Sequence, residues 1–268
     1  MKRNLYKNLA ILIFASAIVF LSSNIVNAQW NTPNAWGYNT GYGAVYGSFG
    51  LAATMQNMYN VAKAQAQKTN ERNAVSGSTS SSRTKTSVPK IAVPPAPVVR
   101  NHGVFRPEAT IDTGKAIADA LGDTPEQKAL IKQIYTVTKA EYEKEAAAKG
   151  WKNNIAGGLT FFTVTAMTIY HDSEEPGANA VDTYFKVVNS ALDEMPEFAN
   201  VSNKDKQGFN NMLIGFSGIL LAGYTEGKQT GDANTLADYK KLAGMLIEMV
   251  LKTDPEKIRL ENGRIVLN

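Results

Sequence analysis

The chain has 268 residues, no cysteine, and 28 basic against 24 acidic side chains. That length permits a core that needs no covalent staple, and the absence of cysteine excludes a disulfide framework and a lipoprotein-type cut site. The pI of about 9.0 invites a nucleic-acid reading that the distribution of charge removes: residues 29–268 carry 25 basic and 24 acidic residues, split as 8 and 2 over 29–108 and 17 and 22 over 109–268.

Residues 1–28 have the parts of a secretory signal peptide. Lys2, Arg3 and Lys7 make the basic start, residues 9–21 are apolar, and Val26-Asn27-Ala28 offers small residues at −3 and −1 of a cut before Gln29. The apolar run is short for a membrane anchor. With no cysteine, export points to a bacterial envelope or medium rather than a eukaryotic extracellular space.

Residues 30–49 intersperse glycine and asparagine with Trp30, Trp36, Tyr38, Tyr42, Tyr46 and Phe49. The glycines oppose a regular element and the aromatics offer stackable surface. This is either a docking arm or a segment that folds back on its own domain. A helix is expected over 50–72, with Met55, Met58, Tyr59, Ala62 and Ala66 on one face. Residues 73–100 read as a linker: SGSTSSS is flexible, and Pro89, Pro94, Pro95 and Pro97 stiffen its second half. A domain boundary therefore falls near Val99, and residues 102–107 have an extended character suited to pairing with a strand elsewhere.

From Ala109 onward the signals are helical. A short helix over 113–121 ends at Gly122. Thr124, Pro125 and Gln127 form a T-x-x-Q capping box with proline at the first position. The helix they open runs to about Ala148, with Ile131, Ile134, Tyr135, Thr138 and Tyr142 inward and Glu145–Lys149 as an i,i+4 pair. Residues 154–170 are ambiguous: Leu159, Phe162, Ala166 and Ile169 fit a helix, yet FFTVTAMTIY is rich in strand formers. Length favours helix. Over 176–195, Val181, Tyr184, Phe185, Val188, Leu192 and Met195 make a stripe.

Ser202 and Asp205 read as a second capping box, opening the helix around which the rest is arranged. Its segment MLIGFSGILLAGY, residues 212–224, carries no charge. Phe209, Leu213, Phe216 and Leu220 fall on one face. Gly208, Gly215 and Ala222, with Gly218 beside them, make a second stripe for close helix packing. At ~1.5 Å per residue the segment is too short for a ~30 Å hydrocarbon layer, so it is the centre of a core. Asp232 caps the last helix, with Leu236, Tyr239, Ala243, Leu246 and Val250 inward. The closing KIRLENGRIVLN alternates Ile258 and Leu260 with polar residues, turns at Asn262-Gly263 and alternates again at Ile265 and Leu267, a hairpin. A lone hairpin is marginal, so it must lie on the helices or gain a strand from around Val104 and Phe105.

The inventory for catalysis is thin. His102 and His171 are the only histidines, and neither sits near a nucleophile motif. Residues 215–218, GFSG, lack the last glycine of G-x-S-x-G because Ile219 stands there. No P-loop, dinucleotide fingerprint, H-E-x-x-H or EF-hand loop occurs. His171, Asp172, Glu174 and Glu175 could gather round a divalent cation, against the plainer reading of a solvated acidic loop before a helix start. Glu141, Glu143 and Glu145 could offer a glycosidase pair, but their spacing puts them on different faces of one helix. No catalytic, cofactor-binding or metal residue is assigned.

The signal peptide with its Ser/Pro linker, the glycine-rich helix NMLIGFSGILLAGYTEGKQTGD and the closing hairpin together resemble an uncharacterised family of secreted bacterial proteins, a domain of unknown function. The resemblance covers about residue 102 to the C-terminus. It implies the domain boundary and export, and no site residue.

The expected architecture is all-α: five to six helices around the glycine-rich helix at about 203–228, with a hairpin at about 256–268. Residues 1–28, 29–72, 73–100 and 101–268 are the expected signal peptide, arm and helix, linker and helical domain. The expected role is that of an exported, non-enzymatic binding or structural protein of the bacterial envelope. Its partner would be an envelope protein or polymer, with no nucleic acid, no cofactor and no membrane span after cleavage. The alternatives are a cell-wall hydrolase and a membrane-active protein that inserts residues 155–170 and 212–224.

Overall fold

In the computed structural model the described residues are 101–109, 112–261 and 264–267; the leader, arm, 50–72 helix and linker expected over 1–100 lie outside them. Among these residues the architecture is six helices of nine residues or more, a one-turn α-helix, a 3-10 turn (Pro255–Lys257) and a C-terminal hairpin.

Each of the longer helices begins where its sequence supplies a side-chain cap, except the one that follows Gly177. Helix α1 (Thr113–Leu121) starts on Asp112, whose carboxylate accepts from Lys115 N at 2.9 Å, and stops at Gly122. Helix α2 (Pro125–Lys149) opens on the complete capping box. Thr124 Oγ1 accepts from Gln127 N at 3.2 Å, and Gln127 Oε1 accepts from Thr124 N at 3.2 Å. It closes at Gly150, whose φ of 72° suits a residue without Cβ. Helix α3 (Ile155–Tyr170) is capped by Asn154, which accepts from Ala156 N. Helix α4 (Ala178–Glu194) follows Gly177 with no side-chain cap, and the one-turn α5 (Pro196–Ala199) comes next. Helix α6 (Asn203–Thr230) is capped by Ser202, which accepts from Asp205 N at 3.1 Å. The expected box is only half made there, because the Asp205 side chain is a methylene shorter than Gln127 and makes no return bond to the cap. Helix α7 (Ala233–Leu251) starts on Asp232, which accepts from Asn234 N and Thr235 N.

The segment at 154–170 is a helix, and the most deeply buried one. Fourteen of its sixteen residues are buried, so its β-branched residues pack on all sides and tertiary contact outweighs strand propensity. It shares the centre with α6. Phe209, Leu213, Phe216 and Leu220 are all at 1% exposure or less, as the apolar stripe requires. Helices α2, α3 and α7 pack directly on α6, and α4 packs on α3.

Glycine makes these approaches close. A Cβ on Gly215 would meet Ile117 and Tyr135, and one on Gly218 would meet Thr138, so these two glycines of the predicted small-residue stripe face α1 and α2. A second glycine face, Gly223 and Gly227, meets Tyr239 and Leu236 on α7. Among the described residues five buried side-chain oxygens make no conventional hydrogen bond, three of them being Thr138 Oγ1, Tyr142 OH and Asn210 Oδ1. Each of these three abuts a glycine of another helix: Gly218, Gly157 and Gly158 respectively.

Residues 101–109 form a strap across three helix ends. Phe105 N donates to Asn153 O (2.9 Å) and Ile155 N to Gly103 O (3.0 Å), framing a bridge between Val104 and Asn154. His102 N donates to Asp193 Oδ1, Arg106 N to Asn203 Oδ1, and Glu108 N to Gln207 Oε1. The expected extended pairing is thus real, but its partner is the entrance to α3 and not the hairpin.

The hairpin pairs β1 (Ile258–Glu261) with β2 (Arg264–Leu267), Glu261 opposite Arg264, so residues 262–263 are the intervening pair. No third strand joins it among the described residues. Strand β2 rests on α4, and Ile258 is fully buried.

Candidate functional site

The end of α3 gathers the most polar chemistry in the described chain. Tyr170, His171 and Asp172 are consecutive, and each reaches a different element. Tyr170 OH donates to Glu256 at 2.7 Å. His171 Nε2 lies 2.8 Å from Ile258 O, the first residue of β1. The Asp172 carboxylate accepts from Tyr224 OH and pairs with Lys228 on α6 (2.7 Å) and Lys240 on α7 (2.8 Å). Asp172 sits at φ 50°, the left-handed region that aspartate tolerates better than most side chains, and this turn aims its carboxylate back between the two helices.

The candidate cation cluster is therefore dispersed. His171 faces a backbone carbonyl, Asp172 faces two ammonium groups, and Glu174 and Glu175 are exposed. No group of three or more metal-ligating side chains occurs among the described residues. The bonds from Lys228, Lys240 and Tyr224 hold the Asp172 carboxyl well below the usual carboxylate range. Its contribution to stability is present above the unfolded value of 3.8 and is lost as pH falls through the depressed native value. Asp172→Asn should lower stability at neutral pH by about 1 kcal/mol, since all three charged groups keep contact with water. Urea unfolding should show that difference shrinking as salt is raised.

A second cluster joins α2 to α4. Lys149 Nζ pairs with Glu145 (3.6 Å) and Asp182 (3.3 Å) and stands 4.7 Å from the centroid of the Trp151 ring, which stacks on Phe185 at 4.9 Å. Crowding by protein atoms pushes the nearby Glu175 carboxyl up to about 7, with Lys149 pulling it down and Glu145 raising it. The residue still exposes a large part of its surface, so water screens much of that effect. Because its native value is raised above the unfolded 4.5, Glu175 favours the fold most below 4.5, and that contribution is lost as pH rises through about 7. Glu175→Gln should therefore gain stability over the parent at pH 8, by under about 1 kcal/mol, and match it near pH 4. Paired urea titrations at the two pH values read this directly.

The other sequence candidates are placed apart. Glu141, Glu143 and Glu145 each pair with a different lysine, Lys144, Lys139 and Lys149. Ser217 is fully buried inside α6 and donates to Leu213 O at 2.9 Å. His102 Nδ1 lies 3.2 Å from Met195 O, far along the chain from His171 and bonded to a different helix end. The Asp172 cluster had no local signature because its partners lie 50 or more residues away, and of the Lys149 cluster only the i,i+4 pair with Glu145 was readable locally.

No helix among the described residues is long and apolar enough to cross a membrane. No curated protein and no solved structure matches the chain. A family model described as a family of unknown function (DUF6683) matches residues 10–268. The match extends well beyond the helical domain, over the residues expected to form the arm and the linker. With nearly the whole sequence inside that match, the chain belongs to this family of unknown function.

Proposed function

We propose that the chain is an exported, non-enzymatic binding or structural protein of the bacterial envelope, in which the aromatic arm and the helical domain together engage an envelope protein or polymer. The observation that supports a non-enzymatic role is how the reactive side chains are used. Both histidines are turned to backbone carbonyls, at Met195 and Ile258. The most strongly perturbed carboxylate, Asp172, is held by two lysines and a tyrosine that join three elements. The bonded nitrogen of each histidine meets a backbone carbonyl and not a nucleophile or a carboxylate, and these groups serve as ties between helices. Export is supported by the basic, apolar and small-residue regions of residues 1–28.

Fractionation of expressing cells with an intact mass in each fraction tests this. A periplasmic or medium form beginning at Gln29 is the expected result. A carbonate-resistant membrane form would favour the membrane-active alternative and overturn this one. Clearing by the purified protein in a peptidoglycan zymogram would replace it with the hydrolase.

A further inference from the structure

We propose that the seat filled by the strap is also the docking site of this chain's own arm, whose Tyr46-Gly47-Ser48-Phe49 exchanges there with the strap's His102-Gly103-Val104-Phe105. The contact would form whether or not the chain is exported.

The seat reads backbone, one glycine and one ring. His102 N, Phe105 N and Arg106 N donate to Asp193, Asn153 and Asn203, and Gly103 O accepts from Ile155 N. Any residue other than proline supplies such main-chain donors, so this part of the recognition works as strand addition does. Side chains decide at two positions. A Cβ at 103 would lie 2.6 Å from Asn154 Oδ1 and 3.0 Å from Leu192 Cδ1, so the close approach calls for glycine. Phe105 is the anchor, 6% exposed and part of the core, whereas Val104 between them is 43% exposed and its identity matters little.

Glycine, any residue, phenylalanine therefore describes an occupant, and that pattern occurs in the chain at 103–105 and again at 47–49, nowhere else. Each copy follows a ring that can donate a hydrogen bond: His102, whose Nδ1 lies 3.2 Å from Met195 O, and Tyr46. In the arm, Tyr46, Phe49 and Gly50 would keep the three main-chain donors, Gly47 the acceptor and the close approach, and Phe49 the anchor. Ser48 would take the exposed position, where a hydroxyl is better solvated than the valine it replaces. Residues 30–50 carry no charge, so docking strips water from no ion.

Residues 50–100 separate this segment from the start of the strap. At ~3.3 Å per extended residue, and ~1.5 Å over the helix expected at 50–72, they span on the order of 100 Å. The arm can thus return to the end of the bundle where the strap begins. Tethering favours it over the arm of a second copy. The strap, joined to α1 by three residues, closes the shorter loop and holds the seat most of the time.

Paramagnetic broadening detects such a minor occupant. The chain has no cysteine, so Ser48→Cys places a single nitroxide on the full chain, at the position matching exposed Val104. The expected result is broadening of the Asn153 and Ile155 amides and not of the Gly231 amide at the far end of α6. Two further substitutions should move it in opposite directions. Gly47→Ala puts the clashing Cβ on the arm and should reduce the broadening about fivefold or more; Gly103→Ala puts it on the strap and should increase it by a similar factor. Equal broadening at Gly231, none at Ile155, or no response to Gly47→Ala would overturn the proposal. Should Gly103→Ala fold poorly, the parent and Gly47→Ala decide. Mixing nitroxide-bearing chains with isotope-labelled chains that lack the nitroxide should give no broadening; broadening in that mixture would assign the contact to a second copy and overturn same-chain docking.

Discussion

Gly223→Ala should destabilise the chain by about 3 kcal/mol, against a gain of ~1 kcal/mol expected from helix propensity alone. Gly223 is buried in α6, and a Cβ added there would fall within the ring of Tyr239 on α7. Tyr239 is half-buried against the core, and desolvation pushes its hydroxyl up to about 12. Accommodating the methyl means separating α6 from α7, or moving Tyr239 off its rotamer. The opposing signs make urea unfolding a clean measurement. The double variant Gly223→Ala/Tyr239→Ala should be more stable than the two single losses predict, because the second change removes the obstacle to the first. An unchanged or raised midpoint for Gly223→Ala would mean that α6 and α7 are not held this close in solution.

Local chemistry explains which parts of the fold were legible in the sequence. Thr124, Ser202 and Asp232 act as caps through side chains two or three residues from their targets, and a pattern of that length is readable in one dimension. The apolar stripe of α6 was readable for the same reason. The α7-facing glycines were not recognised, although Gly223 and Gly227 stand four apart. Their meaning depends on Tyr239 and Leu236 arriving from another helix. The sixteen uncharged residues of α3 signalled burial, but nothing local said that this helix would share the centre with α6.

The polar sites were less legible. The sequence grouped His171, Asp172, Glu174 and Glu175 by adjacency, whereas the fold sorts them by direction. One residue in the left-handed region, Asp172, is enough to send its carboxylate to Tyr224, Lys228 and Lys240 while His171 turns to the hairpin.

Phe105→Ala should lower stability by about 3 kcal/mol, while Val104→Ala beside it should change stability by no more than about 0.5 kcal/mol. The contrast arises from the strap's extended backbone, which sends successive side chains to opposite faces. Phe105 is 6% exposed and part of the core, and Val104 is 43% exposed. Composition places the domain boundary near Val99, and residues 101–109, so close to it, could pass for the last of the linker. Their bonds say otherwise. Gly103 O accepts the N–H of Ile155, the first residue of the most buried helix, and Phe105 N reaches back to Asn153 O. Phe105 fixes this pairing by filling the space beneath it, and without the ring the strap would be held only by peripheral bonds from Asp193, Asn203 and Gln207. Loosening it would leave Ile155 N–H without a partner in a site where water has little access, a further loss of about 1–3 kcal/mol if the strap detaches fully. Urea midpoints for the two single variants separate the cases: equal small effects at Val104 and Phe105 would show that the strap is not part of the cooperative core, and a large effect at Phe105 alone would show that the bundle begins at the strap.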